Sequence, residues 1–277
     1  MASSVQAFVP GHVTGFFTVE RDDDPTKAGS RGGGVTLSDG VTVTVEPAAD
    51  TRVVLDGRET SIEAVERVLD ALAVTATVNA TSDLPLGAGF GVSGAMALGT
   101  ALAATEVFDR RLSENELVTV AHGAEVQAGS GLGDVVAQDR GGVPLRLEPG
   151  GPHHNVLDGI PARGRVEYHT LGDLSTADVI TGDTGALTAA GERALSTVVN
   201  EPTVETFMTA SRRFAREADL LSPSVRAVVD DVAEAGGAAS MAMLGETVFA
   251  FGDGLTAAGY DADVCSVDPA GARLLDR

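Results

Sequence analysis

The stretch Pro85-Leu86-Gly87-Ala88-Gly89-Phe90-Gly91-Val92-Ser93-Gly94-Ala95 constrains this chain more than any other. Its alternating glycines leave the backbone almost bare, and an alanine- and leucine-rich segment, 95–108, follows at once and reads as a helix. A glycine loop that opens a helix aims several backbone N–H groups, and the positive end of the helix dipole, at one spot. Such a spot binds phosphate. A loop that was merely flexible would not run straight into an uninterrupted helix.

Two familiar glycine loops fit less well. Gly89-Phe90-Gly91-Val92-Ser93-Gly94 spells G-x-G-x-x-G, and Asp109 lies twenty residues after Gly89, as a dinucleotide site asks. In such a site the turn follows its strand directly, yet Pro85 and further loop residues separate the apolar run 73–78 from Gly89. Asp109 also leaves the end of a helix instead of a second strand. A Walker-type loop needs a lysine after its glycines, and the only lysine here is Lys27.

The remaining composition narrows partners. With 277 residues the chain is one large domain or two ordinary ones, either able to bury a full core. A formal charge of −21 and a pI near 4.4 reject nucleic acid and anionic membranes. This acidic, lysine-poor surface resembles that of proteins from salt-accumulating halophiles. It would repel ATP in dilute buffer, whereas at molar salt the Debye length falls to about 3 Å and the repulsion is screened. Cys265 is the single cysteine, so neither an intramolecular disulfide nor a cysteine-based zinc site is expected. The N-terminal residues do not read as a signal peptide, and no apolar run reaches about eighteen residues. A soluble, cytoplasmic protein without membrane or nucleic-acid partners is expected. Its oligomeric state stays open, with a homodimer among the options.

Apolar spacing predicts strands over 5–9 and 41–45, with a polar, glycine-rich loop over 22–34 between them. Residues 61–72 read as a helix capped by Ser61, and 73–80 as a strand leading into the glycine loop. Ser113 and Glu116 form a capping box that opens a helix running to about residue 128. A strand follows over 143–147. The Gly-, Pro- and His-rich stretch 149–163 reads as a connection, dividing the chain into domains 1–150 and 151–277. Beyond it, 165–171 and 177–180 read as strands, 204–221 and 223–235 as helices, and 240–243 and 247–251 as short strands. Strands and helices without strict alternation indicate an α+β fold.

The glycine loop resembles the second motif of the GHMP kinases, whose consensus runs P-x-G-x-G-L-G-S-S-A. Phe90 replaces the usual Leu, Val92 the first Ser and Gly94 the first Ala, while Ser93 keeps the second Ser. The resemblance implies a ribosomal-protein-S5-domain-2-like N-terminal domain, a C-terminal ferredoxin-like α/β sandwich and an active site between them. It also implies that Pro85, Gly87, Ala88, Gly89, Phe90, Gly91, Val92 and Ser93 hold ATP. A second cluster, Glu125 to Asp134 followed by Gly141-Gly142, is similar to the mevalonate-kinase stretch with a magnesium-binding Glu and a catalytic Asp. Carried over, Glu125 and Ser93 would hold Mg²⁺ and Asp134 would be the base, although the intervening segment is shorter here. These residue types suit phosphoryl transfer, which needs cradled phosphates, a metal on hard oxygen ligands and a base near the attacking hydroxyl. Glu125 as an exposed helix residue and Asp134 as a plain helix cap are the competing readings. A third motif falls at Gly236–Gly245 with fewer glycines than usual.

Pro10-Gly11-His12-Val13-Thr14-Gly15-Phe16-Phe17, the loop Gly29-Ser30-Arg31-Gly32-Gly33-Gly34, the run Gly131 to Gln138 and Met241 to Gly245 resemble one branch, the archaeal pantoate kinases. That branch phosphorylates the primary hydroxyl of (R)-pantoate with ATP on a route to coenzyme A. Pantoate carries a carboxylate, so a cation should meet it. His12 replaces the superfamily's lysine and is a candidate substrate contact, against a turn-satisfying histidine. Arg146 points opposite to Val143, Leu145 and Leu147 in its strand and is the first choice for the carboxylate, with Arg31 second. A surface pair with Glu148 is the rival reading for Arg146. Another GHMP kinase, acting on homoserine, shikimate or mevalonate, and a catalytically dead binding module on the same scaffold are the alternative functions.

Overall fold

A computed structural model describes residues 4–172, 182 and 184–276. The frame of the N-terminal lobe is a long antiparallel pair, β1 (Val5–Phe17) and β2 (Gly32–Pro47). Valines alternate through both, as a half-buried strand requires, and Val9, Val13, Val35, Val41, Val43 and Val45 are all fully buried. The first strand continues past the expected end at residue 9, through His12 to Phe17. Register shifts between Pro10 and Gly11 and between Thr14 and Phe16 let the pair bend along its length.

Next come β3 (Arg52–Leu55) and β4 (Arg58–Thr60), then α1 (Glu63–Ala71) and β5 (Ala76–Ser82). Strand β5 pairs antiparallel with β2 and parallel with β3, so α1 sits in a β-α-β crossover. Ser61 does not cap this helix. Ile62 occupies the N-cap without a side-chain bond, and the Ser61 hydroxyl donates instead to Glu66 at 2.7 Å.

Helix α2 (Val92–Val107) lies between that sheet and α1 and α3 (Glu114–Ala128), and nearly every residue in it is buried. Its alanines and glycines permit the close approach: a Cβ on Gly99 would come 2.7 Å from Val43. The capping box of Ser113 and Glu116 opens α3 as expected. The short helix α4 (Asp134–Arg140) leads into β6 (Val143–Glu148), which pairs with the start of β2. Strand β7 (Val156–Ile160) then pairs with β6. The first sheet therefore reaches past the expected division at 150, into the stretch read as a connection.

The second lobe holds a four-stranded antiparallel sheet of β8 (Arg165–Gly172), β9 (Ala239–Met241), β10 (Glu246–Phe251) and β11 (Asp263–Ser266). Their order, β11-β8-β10-β9, is the ferredoxin-like arrangement of fourth, first, third and second strand. Helices α5 (Gly185–Asn200), α6 (Val204–Glu217) and α7 (Pro223–Glu234) come between its first two strands, and α8 (Gly254–Ala257) between its last two. The strand expected over 177–180 lies outside the described residues. At the end, β12 (Arg273–Leu274) returns to pair with β1, so both sheets belong to one interlocked body. No described helix is long and apolar enough to cross a membrane.

Candidate active site

One cleft of about 370 Å³ opens between the lobes, lined on one side by the glycine loop and on another by the segment from Ala128 to Asp134. Gly87, Gly89, Phe90, Gly91, Val92 and Ser93 are on its wall. Pro85 is exposed at the loop's start, and Ala88 is turned under it with no exposure. The loop ends at Gly91, whose left-handed backbone (φ 65°) starts α2, so the first turn of that helix faces the cleft.

The second lobe holds this loop from behind. A Cβ on Gly245 would collide with the Ala88 carbonyl, so only glycine lets the two backbones touch. Thr247 Oγ1 donates to that same carbonyl at 2.8 Å, and the Met243 N–H donates to the Thr14 carbonyl at 2.9 Å. From the expected third motif, Met243 and Leu244 reach the cleft. Its backbone braces the loop more than its glycine content suggests.

Two carboxylates face the cleft. Glu125, near the end of α3, is 2% exposed and accepts a hydrogen bond from the Ser93 hydroxyl at 3.0 Å. Ser93 is in turn 3.3 Å from the Ser130 hydroxyl. No cation pairs with Glu125 among the described residues. Burial and the nearby charge of Asp134 push its carboxyl up to about 7, against the pull of the two hydroxyls. Glu125 is thus not an exposed helix residue. A buried carboxylate beside two hydroxyls, on a cleft wall and short of positive charge, is a donor set that suits a hard divalent cation.

Asp134 opens α4, and its Oδ1 lies 2.7 Å from His12 Nδ1. Burial pushes this carboxyl up, but the hydrogen bond and charge of His12, with Arg146 beyond, outweigh it and hold Asp134 below the ordinary range. Burial lowers His12, and the Asp134 bond offsets this only in part. Since an ionised carboxylate can only accept, the His12 Nδ1–H donates to it. His12 has no exposure and is not on the cleft wall. The expected substrate contact thus lies behind the cleft wall, its ring against Asp134 at the start of α4.

Arg146 is buried, at 2% exposure, yet lines the cleft, and its Nε and Nη1 have no hydrogen-bond partner. Burial lowers it to about 10, opposed by Asp134, so it stays a cation. It makes no pair with Glu148. A buried guanidinium with idle donors beside an ionised carboxylate is costly without an anion to receive them. Arg31, the second choice, is not on the cleft wall, and its Nε donates to the Leu147 carbonyl at 2.8 Å. Thr14, Phe17, Ser30 and Ser130 also line the cleft. The sequence motifs contained all four, but without a periodicity or charge that would have set them apart.

Residues 59–142 match the GHMP kinases N terminal domain family. The chain is 34% identical to a pantoate kinase of Methanospirillum hungatei, the match covering 90% of this chain and 87% of that protein. It is also 34% identical to a pantoate kinase of Thermococcus kodakarensis, over 89% of this chain and 87% of the relative. A solved structure described as a phosphotransferase related to the CoA biosynthesis pathway superposes with a TM-score of 0.87 at 30% identity, covering 98% of each chain.

Proposed function

The chain belongs to the pantoate kinase family, within the GHMP kinases, and we propose that it transfers the γ-phosphoryl group of ATP to the primary hydroxyl of (R)-pantoate. The product is 4-phosphopantoate, on a route to coenzyme A. The observation that carries this reading is Arg146, a buried cation on the cleft wall near Asp134 whose Nε and Nη1 have no hydrogen-bond partner. It calls for an anionic acceptor, and a hydroxy acid supplies a carboxylate and a nucleophilic hydroxyl together.

Each residue has a task in this reaction. The loop from Gly87 to Ser93, at the N-terminus of α2, receives the triphosphate of ATP on backbone N–H groups and the helix dipole. Asp134 is the base: it stays ionised, and His12 fixes its orientation from below. Arg146, with Ser30 close by, takes the substrate carboxylate and so aims the far hydroxyl toward Asp134. Glu125 and Ser93, with Ser130 beside them, would hold Mg²⁺. When bound, that ion offsets the negative charge on the transferring phosphates. All of these residues precede residue 150, and Met243 and Leu244 are the later lobe's share of the cleft.

The test is a substrate panel with ATP and Mg²⁺ at high salt, comparing (R)-pantoate, homoserine, shikimate and mevalonate. The highest kcat/KM is expected for pantoate. A clear preference for another alcohol moves the chain elsewhere in the superfamily, and binding without turnover makes it a non-catalytic module.

A further inference from the structure

The cleft wall opposite the phosphate loop contains an apolar surface that the proposed reaction leaves without a task. Phe17 of β1 pairs with Gly32 of β2, and Gly32 pairs in turn with Arg146 of β6. Phe17 and Arg146 thus stand in one cross-strand row, and both face the cleft. Neighbouring strands lie about 4.8 Å apart, so the two backbones are separated by roughly 10 Å. The residue between them brings no side chain. Gly32 has a left-handed backbone (φ 148°), and a Cβ there would collide with the Phe16 carbonyl, so only glycine lets the two strands approach this closely.

The cleft wall along this row has a different chemistry at each end. At one end is the guanidinium, with the Ser30 hydroxyl beside it: a Cβ on Gly133 would be 2.6 Å from both Arg146 Nε and Ser30 Oγ. At the other is the Phe17 ring, backed by Phe214 of α6 with centroids 5.5 Å apart. Met243 lines the same cleft, and its N–H bonds to the Thr14 carbonyl of the strand that carries Phe17. A linear hydroxy acid would leave this apolar end facing water or an empty gap. Pantoate has a quaternary carbon with two methyl groups between its carboxylate end and its primary hydroxyl.

We infer that Phe17 and Met243 form the wall that receives those two methyl groups and that they set the enzyme's preference for a branched over an unbranched hydroxy acid. This rests on the pantoate reading, and the two can fail separately. A methylene lost from an apolar pocket changes kcat/KM by roughly 10–200-fold. Wild-type enzyme should therefore prefer (R)-pantoate over 2,4-dihydroxybutanoate, the same acid without the methyls, by at least about tenfold.

The experiment measures kcat/KM for both acids in wild type, Phe17→Ala, Phe17→Leu and Met243→Ala. The ratio of the two values from one preparation cancels the fraction of active protein, so partial unfolding of a variant does not distort it. The ratio should fall to within about threefold of unity in Phe17→Ala, and part of the way in Phe17→Leu and Met243→Ala, chiefly through loss of pantoate turnover. A wild-type ratio preserved in the soluble variants overturns the assignment of these residues. A wild type that phosphorylates both acids equally well overturns the wall while leaving pantoate as a substrate. A wild type that ignores pantoate and phosphorylates another alcohol overturns the substrate reading itself.

Discussion

Two neighbouring carboxyls of the cleft differ in their company: Asp134 is held by His12 and Arg146, while Glu125 has only the hydroxyls of Ser93 and Ser130. Both carboxyls are pushed up by burial, and there the likeness ends. A hydrogen-bonded imidazole and a nearby guanidinium bring Asp134 below its ordinary range, whereas Glu125 rises to about 7. The protein has balanced the charge of one carboxylate from its own side chains and left the other unbalanced. In the proposed reaction the first arrangement keeps the base ionised, and the second leaves room for a cation from solution. Placement within one cleft, not residue type, separates the two roles.

The sharpest way to break this comparison is Asp134→Asn. Turnover should fall by roughly 10²–10⁴, the range for a lost general base, with ATP binding little changed. Turnover near wild type would remove Asp134 from the reaction and leave it an acidic first-turn residue of α4 bonded to His12. Arg146→Ala comes next. Loss of a charge-assisted contact of about 1.5–3 kcal/mol should raise the pantoate KM roughly ten- to a hundredfold while sparing that for ATP. Lysine at this position should restore only part, since an ammonium lacks the planar fork. Arg31→Ala should be close to wild type because that side chain is engaged with the Leu147 carbonyl away from the cleft. A crippled Arg31→Ala beside a normal Arg146→Ala would reverse the assignment.

The Glu125 carboxyl is tested through magnesium and through pH. Glu125→Gln and Ser93→Ala should each raise the Mg²⁺ concentration for half-maximal activity by about tenfold, and an unchanged titration curve would remove them as ligands. Without metal, the folded state keeps a proton on Glu125 up to about pH 7, whereas an unfolded chain releases it near 4.5. Between those values the native state binds more protons, so stability falls as pH rises through the interval, by about 3 kcal/mol in total. Glu125→Gln cannot lose that proton. In a chelator its Tm should exceed wild type at pH 8 and vary less from pH 5 to 8, and parallel curves would contradict the elevated carboxyl.

The smallest effect concerns the whole surface, not either carboxyl. Salt into the molar range should raise Tm by a few degrees and lower the KM for ATP, because it screens the self-repulsion of a −21 surface. A Tm that falls steadily with added salt would rule out that role for the charge.

Sequence alone carried what depends on near neighbours. The glycine loop entering α2, the Ser113 and Glu116 capping box, and the helices read over 204–221 and 223–235 are local patterns; the two helices form, ending at 217 and 234. The motif residues Ser93, Glu125, Asp134 and Arg146 were also legible, since their types and order carried the family resemblance. Pairings between distant segments were not. Short strands such as β3, β4, β7 and β12 have no periodicity of their own and exist because a neighbouring edge offers hydrogen bonds. His12 illustrates the same limit at the site: its type suggested a substrate contact, but the inward turn of β1 put it beneath Asp134, 122 positions away in the chain. The alignment of Phe17 with Arg146 is likewise a matter of register across three strands. Local sequence fixed which groups were available, and the long-range pairing of β1, β2 and β6 decided which of them face one another, because register is settled only when distant backbones meet.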